Sequence, residues 1–180
     1  MRRRAFLILS ASAAVARSAE AQTSALPIVG FLNSSSQGAQ SRTFQAFREG
    51  LEHLGFVEGR NVVIEQRYGD GDYAKLPAVA GELVSQQVAV IAAGGPPALR
   101  AAKDATSTIP IVFSSGEDPV KAGFVASLAR PGGNITGISF ITGDLAAKRF
   151  DLARELVPNA DLIALMINRT TEGASQLQNT

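Results

Sequence analysis

Three short polar loops contain most of the side chains in this chain that could bind or transform another molecule. Each loop follows an apolar run of only a strand's length, and the three are Asn33–Ser36, Gly94–Pro97 and Ser114–Pro119. Serine hydroxyls, and backbone N–H groups at the start of a helix, donate hydrogen bonds that suit a carboxylate. A solvated turn whose serines cap the local backbone explains the same residues equally well. Asp118-Pro119 fits the start of a helix better than a ligand contact, because aspartate is a preferred N-cap and proline a preferred first helical residue.

The residues that the chain lacks argue against catalysis and metal binding. There is no cysteine, and His53 is the only histidine, so neither a thiolate metal site nor the usual acyl-transfer arrangements can be assembled. The phosphate-loop pattern G-x-x-x-x-G-K-[ST] and the nucleophile-elbow pattern G-x-S-x-G are also absent. A small hydrolase that uses Ser115 and Asp118 is an alternative function, but it has no candidate base.

One glycine-rich segment matches a nucleotide-binding pattern in its spacing. Gly69–Ala74 fits G-x-G-x-x-A between a predicted strand and a predicted helix. Asp70 and Asp72 would oppose a pyrophosphate, however, and Ala74 replaces the third ligand that a calcium loop needs. The segment is therefore interpreted as a tight turn.

The composition indicates a packed core and gives no sign of a nucleic-acid partner. The chain of 180 residues is 46% hydrophobic and 18% charged, which is enough for one solid domain. From Gln22 onward, 13 basic residues stand against 15 acidic ones, a net charge of −2. No basic face is left to attract nucleic acid or anionic lipid.

Met1–Ala21 has the order of an export signal. A basic start is followed by the apolar run Ala5–Ala16 and by Ala19-Glu20-Ala21, an A-x-A cleavage site. The apolar run is shorter than the ~20 residues needed to span a bilayer. Arg3-Arg4-Ala5-Phe6-Leu7 also resembles the twin-arginine export motif. We expect cleavage near Ala21 and a mature periplasmic protein without stable membrane insertion.

Apolar periodicity predicts alternating strands and helices over Pro27–Phe140. The predicted strands are Pro27–Leu32, Asn61–Tyr68, Val88–Ala93, Ile109–Phe113 and Ile135–Phe140; the predicted helices are Ser41–Leu54, Tyr73–Gln86, one opening at Pro96-Pro97, and about Val120–Leu128. Such alternation indicates an α/β fold, a doubly wound parallel sheet. The continuous apolar runs Val88–Ala93 and Ile109–Phe113 indicate strands buried on both faces, whereas Asn61–Tyr68 has one partly polar face that suits a sheet edge. With the strand order 2-1-3-4-5, Asn33–Gln37 and Gly94–Pro97 would face each other across a crevice, where such sheets bind ligands.

The last forty residues do not complete a second domain by themselves. They contain a predicted helix, Leu145–Val157, a predicted strand, Leu162–Ile167, and a polar tail. One helix and one strand cannot bury a core of their own. We therefore expect an N-terminal lobe at 22–140 and the incomplete start of a second lobe at 141–180.

Several segments in register resemble one known family. The resemblance rests on GGPPALRAAKDATSTIPIVFSSGEDPVKAGFVASLARPGGNITGISF, with FQAFREGLEHLGFVEGRNVVIEQRY upstream and AAKRFDLARELVP downstream. These segments are similar to the ABC-transporter substrate-binding protein family with a type I periplasmic-binding fold. The resemblance implies two lobes that close on a small solute, in some members an aromatic amino acid, and then dock on the membrane permease of an ABC importer. Members continue for roughly another lobe, so a truncated remnant that binds nothing is an open alternative.

The resemblance also implies which residues contact the solute, because the family carries ligand contacts on the loops after strands one, three and four. The corresponding residues here are Asn33, Ser34, Ser35, Gly94, Gly95, Pro96, Ser114, Ser115, Glu117 and Asp118. The loop serines would meet a carboxylate, whereas Glu117 or Asp118 could receive an α-ammonium group. The resemblance implies no catalytic activity, no cofactor and no metal.

Overall fold

The computed structural model describes residues 25–140 and 145–164. The strands in these ranges are β1 Ile28–Asn33, β2 Val63–Tyr68, β3 Val90–Gly94, β4 Ile111–Ser115 and β5 Ile135–Ser139. The helices are α1 Ser41–His53, α2 Leu76–Ser85, α3 Pro96–Ala105 and α4 Ala146–Leu156, and a 3₁₀ turn, Tyr73–Lys75, leads into α2. In this part of the chain no helix has both the length and the apolar character to cross a membrane. The predicted export signal lies outside the described residues.

All five strands pair in parallel in the order β2-β1-β3-β4-β5. The predicted α/β fold and strand order are therefore confirmed. The order reverses between β1 and β3, and ligands of such sheets bind at this switch point, beyond the carboxyl ends of the strands. The register places Asn33 opposite Gly94, and Gly94 opposite Ser114. The three polar loops thus begin side by side at the carboxyl ends of their strands.

The two faces of the sheet are covered by different helices. On one face, α2 and α3 bury a continuous aliphatic cluster that includes Leu32, Leu83, Ile91, Leu99 and Ile111. On the other face, α1 covers β1, and the ring of Phe31 lies 5.3 Å from the rings of both Phe44 and Phe47. These two phenylalanines stand at helical spacing with Leu51 and Leu54, of which Leu54, just beyond the end of α1, is 77% exposed.

The expectation that the strand at Ile109–Phe113, here β4, is buried on both faces is wrong, and the neighbouring β5 is exposed on the same face. Val112 of β4 is 44% exposed and Ile138 of β5 is 62% exposed. Paired residues of a parallel sheet point to the same face, so both side chains lie on the face that α1 covers further along, at β1. No helix among the described residues reaches this half of that face, and its apolar side chains therefore contact solvent.

The predicted helix at about Val120–Leu128 is also wrong. The segment Asp118–Val125 forms consecutive turns, in which the N–H groups of Phe124 and Val125 both donate to the carbonyl of Pro119, at 2.8 and 3.2 Å. Gly123 has a φ of +71°, which ends any helical path, and the two apolar residues after it are buried. Asp118 caps a turn and not a helix: its Oδ1 accepts from the N–H groups of Val120 and Lys121 at 2.9 and 3.2 Å.

Other element boundaries agree with the sequence to within a few residues. Gly55, with a φ of +87°, closes α1: its N–H donates to Glu52 O and that of Phe56 to Leu51 O, both at 2.9 Å, which is a Schellman motif. The helix expected at Leu145–Val157 is present as α4. Residues 162–164 are not in a strand, and the rest of the strand expected at Leu162–Ile167 lies outside the described residues.

The environment of Tyr68, at the end of edge strand β2, leads to a prediction about pH. Burial raises the pKa of the Tyr68 phenol, because loss of hydration disfavours the phenolate. The chain has two tyrosines, so Tyr68 is the only one left in a Tyr73→Phe variant. We expect its phenolate absorbance to titrate above pH ~10 in the folded protein and near pH ~10 in urea. The stabilisation by the neutral phenol is then complete below the unfolded pKa and is lost as the pH rises through the folded one. Equal midpoints in the two states would contradict this.

Candidate ligand-binding site

A cavity of about 440 Å³ lies at the carboxyl ends of β1, β3 and β4. Its size is within the range of small-molecule sites. Its lining consists of Asn33, Ser34, Ser35, Gln40, Thr43, Gly94, Gly95, Ser114 and Phe140. None of these residues is charged, and most offer a hydroxyl or an amide. The cavity therefore provides neutral hydrogen-bonding groups beside one aromatic ring.

The loop Asn33–Ser36, called the ligand loop below, is shaped by the side chain of Asn33. Asn33 is the last residue of β1 and is only 5% exposed. Its Oδ1 accepts a hydrogen bond from the N–H of Ser35 at 2.9 Å, which is the Asx turn that asparagine favours at a strand end. The turn bends the chain so that Ser34 and Ser35 line the cavity.

Gly94 and Gly95 let the next strand approach this turn closely. A Cβ atom at position 94 would overlap Nδ2 of Asn33, so only glycine leaves room for the asparagine side chain. Gly95 has a φ of +86°, a conformation that side chains of L-residues rarely adopt. In this conformation its N–H donates to the carbonyl of Ser114 at 2.9 Å. The ends of β1, β3 and β4 are thereby joined into one polar rim.

Two helices begin near the cavity, but they differ in what they can donate. Helix α3 starts with Pro96 and Pro97, which have no N–H groups. Helix α1 contributes Gln40, its N-cap residue, and Thr43 of its first turn to the cavity lining. The first N–H groups of a helix have no partner within it. The positive end of a helix dipole favours negative charge, so α1 is the helix that suits a carboxylate.

The structure brings together six of the ten residues expected at the site. Asn33, Ser34, Ser35, Gly94, Gly95 and Ser114 line the cavity. Pro96, Ser115, Glu117 and Asp118 do not line it. Successive side chains of a strand point to opposite faces, so Ser115 points away from the face of Ser114; it is 2% exposed, and its Oγ accepts from the N–H of Glu117 at 3.1 Å.

Sequence reasoning missed three lining residues, Gln40, Thr43 and Phe140. Gln40 and Thr43 lie at the start of α1. The length of the loop before the helix could not be predicted from the sequence, so neither could the helix residues that face the cavity. Phe140 directly follows β5 and was assigned to the strand. Its N–H donates to the carbonyl of Ser115 at 2.8 Å, and its side chain is 61% exposed. An exposed aromatic ring at the edge of a polar cavity is a typical contact for a ligand.

The rim hydroxyls are free to bind. Among the described residues, the hydroxyls of Ser34, Ser35 and Ser114 make no hydrogen bond, whereas the hydroxyls of Ser36, Ser115 and Thr106 accept from backbone N–H groups. The loops are held by backbone and Asn33 contacts instead. A polar rim at the switch point of a doubly wound α/β sheet is where small molecules generally bind in this fold class.

Comparison with known proteins agrees with this class. The chain belongs to the ABC transporter substrate binding protein family, whose model matches residues 8–179. A tyrosine-binding protein of Clostridioides difficile is 35% identical over 135 residues, which is 74% of this chain and 38% of that protein. The chain therefore spans well under half the length of this curated relative.

Solved structures give the same fold. A conserved domain protein from Vibrio cholerae matches 86% of this chain and 52% of its own length, with 28% identity and a TM-score of 0.73. An ABC domain from Streptococcus pneumonia in complex with L-Trp matches 64% of this chain and 39% of its own length, with 26% identity and a TM-score of 0.59. A ligand-free, open substrate binding protein with adhesive properties from Clostridium difficile matches 86% of this chain and 52% of its own length, with 27% identity and a TM-score of 0.61.

The packing of Gly94 against Asn33 leads to a prediction about the stability of the rim. In Gly94→Ala, the added methyl group displaces the Asn33 side chain and disrupts its bond to Ser35, so we expect urea unfolding to show a loss of ~1–3 kcal/mol. The matched control is Gly50→Ala in α1, where a Cβ meets nothing within 4 Å. This change should stabilise by ~0.5–1 kcal/mol through helix propensity. A Gly94→Ala variant as stable as the unaltered protein would disprove the packing argument.

Proposed function

We propose that this protein is a periplasmic substrate-binding protein of an ABC importer, and that the cavity is one wall of a cleft for an aromatic amino acid. The observation that carries the proposal is the cavity itself, an uncharged rim of hydroxyls and amides with the exposed ring of Phe140 beside it. Such a site suits a small solute with both a polar end and an apolar ring. Among the described residues, its lining contains no histidine, carboxylate or amine.

Two relatives support the choice of solute. One is a tyrosine-binding protein, and the other is an ABC domain whose structure contains L-Trp. Both solutes combine an aromatic ring with an α-ammonium and an α-carboxylate group. We carry this solute class over to the present chain because its cavity has a feature that suits each part.

The carboxylate of the solute is assigned to the polar rim. The hydroxyls of Ser34, Ser35 and Ser114 donate hydrogen bonds towards it. The start of α1, at Gln40 and Thr43, contributes the positive end of the helix dipole. The aromatic ring of the solute is assigned to Phe140, since aromatic pairs stack or pack edge to face. The α-ammonium is assigned to the opposite wall, because Glu117 and Asp118 lie outside the cavity.

The domain arrangement follows from the same proposal. Residues 22–140 form the first lobe, and residues 141–180 begin the second lobe, which supplies the opposite wall. Hinge closure of the two lobes on the solute creates the state that docks on the membrane permease. Residues 1–21 direct export and are removed, so the mature protein acts in the periplasm.

The proposal is tested by titrating the protein, purified from its native host, into L-tryptophan. The chain contains no tryptophan, so its residues add no indole emission to that of the solute. We expect a blue shift that saturates and is reversed by L-tyrosine but not by L-lysine or L-glutamate. If L-tryptophan emission stays unchanged and calorimetry with L-tyrosine shows no heat, the aromatic amino-acid assignment is wrong.

The role of Phe140 gives a second prediction. Phe140→Ala removes the stacking surface, and we expect affinity for L-tryptophan to fall by roughly tenfold to a hundredfold, the equivalent of ~1.5–3 kcal/mol. Stability should change little, because the side chain is largely exposed in the ligand-free protein.

The matched control for this change is Phe56→Ala. Phe56 is also a partly exposed phenylalanine. It follows the end of α1, which leads back to the amino ends of the strands, away from the cavity. Its removal should leave affinity unchanged. Equal losses of affinity in the two variants would show that Phe140 has no special contact with the solute.

A further inference from the structure

The turn that follows β2, Gly69–Asp72, does not line the cavity, yet it is hydrogen-bonded to the ligand loop. The N–H of Gly69 donates to the carbonyl of Asn33 at 2.8 Å, and that of Gly71 donates to the carbonyl of Ser34 at 3.0 Å. The first of these bonds extends the pairing of β1 with β2 by one step. The second lies beyond the sheet and ends on a residue of the cavity lining. The turn therefore supports the ligand loop from the side away from the solute.

The turn is itself fixed to the core of the lobe. Gly69 is buried, and a Cβ at this position would lie 2.9 Å from Cδ2 of Leu76 and 3.0 Å from the carbonyl oxygen of Ser34. Leu76 is 1% exposed and belongs to the aliphatic core. On the other side, Oδ1 of Asp72 accepts from the N–H of Ala74 at 3.0 Å and so caps the 3₁₀ turn that leads into α2. Gly69 thus lies between the core and the ligand loop, while Asp70, Gly71 and Asp72 are exposed.

The backbone conformation of the turn Gly69–Asp72 directs the N–H of Gly71 at the carbonyl of Ser34. Asp70 has a φ of +54° and Gly71 a φ of +80°, so two successive residues are left-handed. The N–H of Asp72 donates to the carbonyl of Gly69 at 2.9 Å and closes this reversal. Left-handed residues other than glycine are uncommon, and aspartate is among the few that tolerate the conformation. The glycine-rich spacing that resembles a dinucleotide motif is accounted for by this geometry.

We propose that Gly69–Asp72 is a positioning element for the binding site: it sets the place of the Ser34 and Ser35 hydroxyls without touching the solute. The positioning of the loop stands on the hydrogen bonds above, while its consequence for affinity rests on the proposed function. The close approach of Gly94 to Asn33 and the bond from the Gly95 N–H to Ser114 O hold β1, β3 and β4 together, and this turn adds β2, the edge strand, to the same assembly. Affinity is then sensitive to a residue that lies behind the site.

The first test uses the ligand-free protein and the Gly69→Ala variant, in which the added Cβ displaces the Ser34 carbonyl. We expect hydrogen exchange at the Ser35 amide, which donates to Asn33 Oδ1, to accelerate by about tenfold or more. Exchange at the Gly95 amide, which donates to Ser114 O, should change by less than about twofold. The control for general destabilisation is Ile135→Val, a buried change at the amino end of β5, which should alter neither amide selectively.

The second test measures L-tryptophan affinity as a double-mutant cycle. Gly69→Ala alone should weaken binding by about tenfold, and by less than about twofold when Ser35 is already alanine, because the turn acts through that loop. In a Ser114→Ala background the full tenfold loss should remain. A turn that merely stabilises the lobe would give equal losses in both backgrounds, and Ile135→Val would then reproduce them.

The outcomes separate this proposal from the proposed function. Unchanged exchange at Ser35 in folded Gly69→Ala, or equal losses in the two backgrounds, overturns the positioning role. If the unaltered protein binds no aromatic amino acid, the proposed function fails while the exchange experiment still decides whether the turn positions the loop. Should Gly69→Ala not fold, Gly71→Ala replaces it: a Cβ there meets nothing within 4 Å, so it acts on the loop only through the backbone strain at its φ of +80°.

Discussion

The register between β1 and β3 is the constraint on which the site depends. It sets Asn33 level with Gly94, and the amide of Asn33 occupies the space that any side chain at position 94 would need. A shift of one residue would move every side chain of a strand to the other face. Asn33 would then leave its place beside Gly94, and the aliphatic residues of β1 would leave the core. The same pairing therefore fixes both the packing of the lobe and the shape of the ligand loop.

This arrangement separates the groups that hold the rim from the groups that can bind. Backbone N–H groups of Gly71 and Gly95 and the buried amide of Asn33 fix the loops, while the rim serines keep their hydroxyls uncommitted. A rim ordered before binding loses less conformational entropy when the solute arrives. Glycine is needed at these positions because the backbone must reach the loop closely or in a left-handed conformation. The glycines of the rim are thus structural, although they lie beside the site.

Much of this organisation could be predicted from the sequence, since it follows from periodicity. The five strands, their order and the edge at which the loops meet all come from apolar runs and from the rules for parallel sheets. Which of two adjacent serines faces the cavity did not follow: alternation separates Ser114 from Ser115 without saying which one points inward. The segment Val120–Leu128 has the spacing of a helix, but Gly123 and the burial of Phe124 favour consecutive turns. The contribution of Phe140 depends on the place where β5 ends, which is set by its pairing with β4.

The exposed apolar side chains on β4 and β5 and the exposed ring of Phe140 have a common origin. All lie where no helix among the described residues covers the sheet, and Phe140 marks the point at which this uncovered half meets the polar rim. A solute bound to one wall leaves much of its own surface in water, whereas small-molecule sites generally bury most of their ligand. Under the proposed function, the described lobe would provide orientation and hydrogen bonds, and affinity would depend on a second surface that closes over Phe140. A first wall held by the register of β1 and β3 would make that closure selective, because the incoming surface would meet a solute whose position is already fixed.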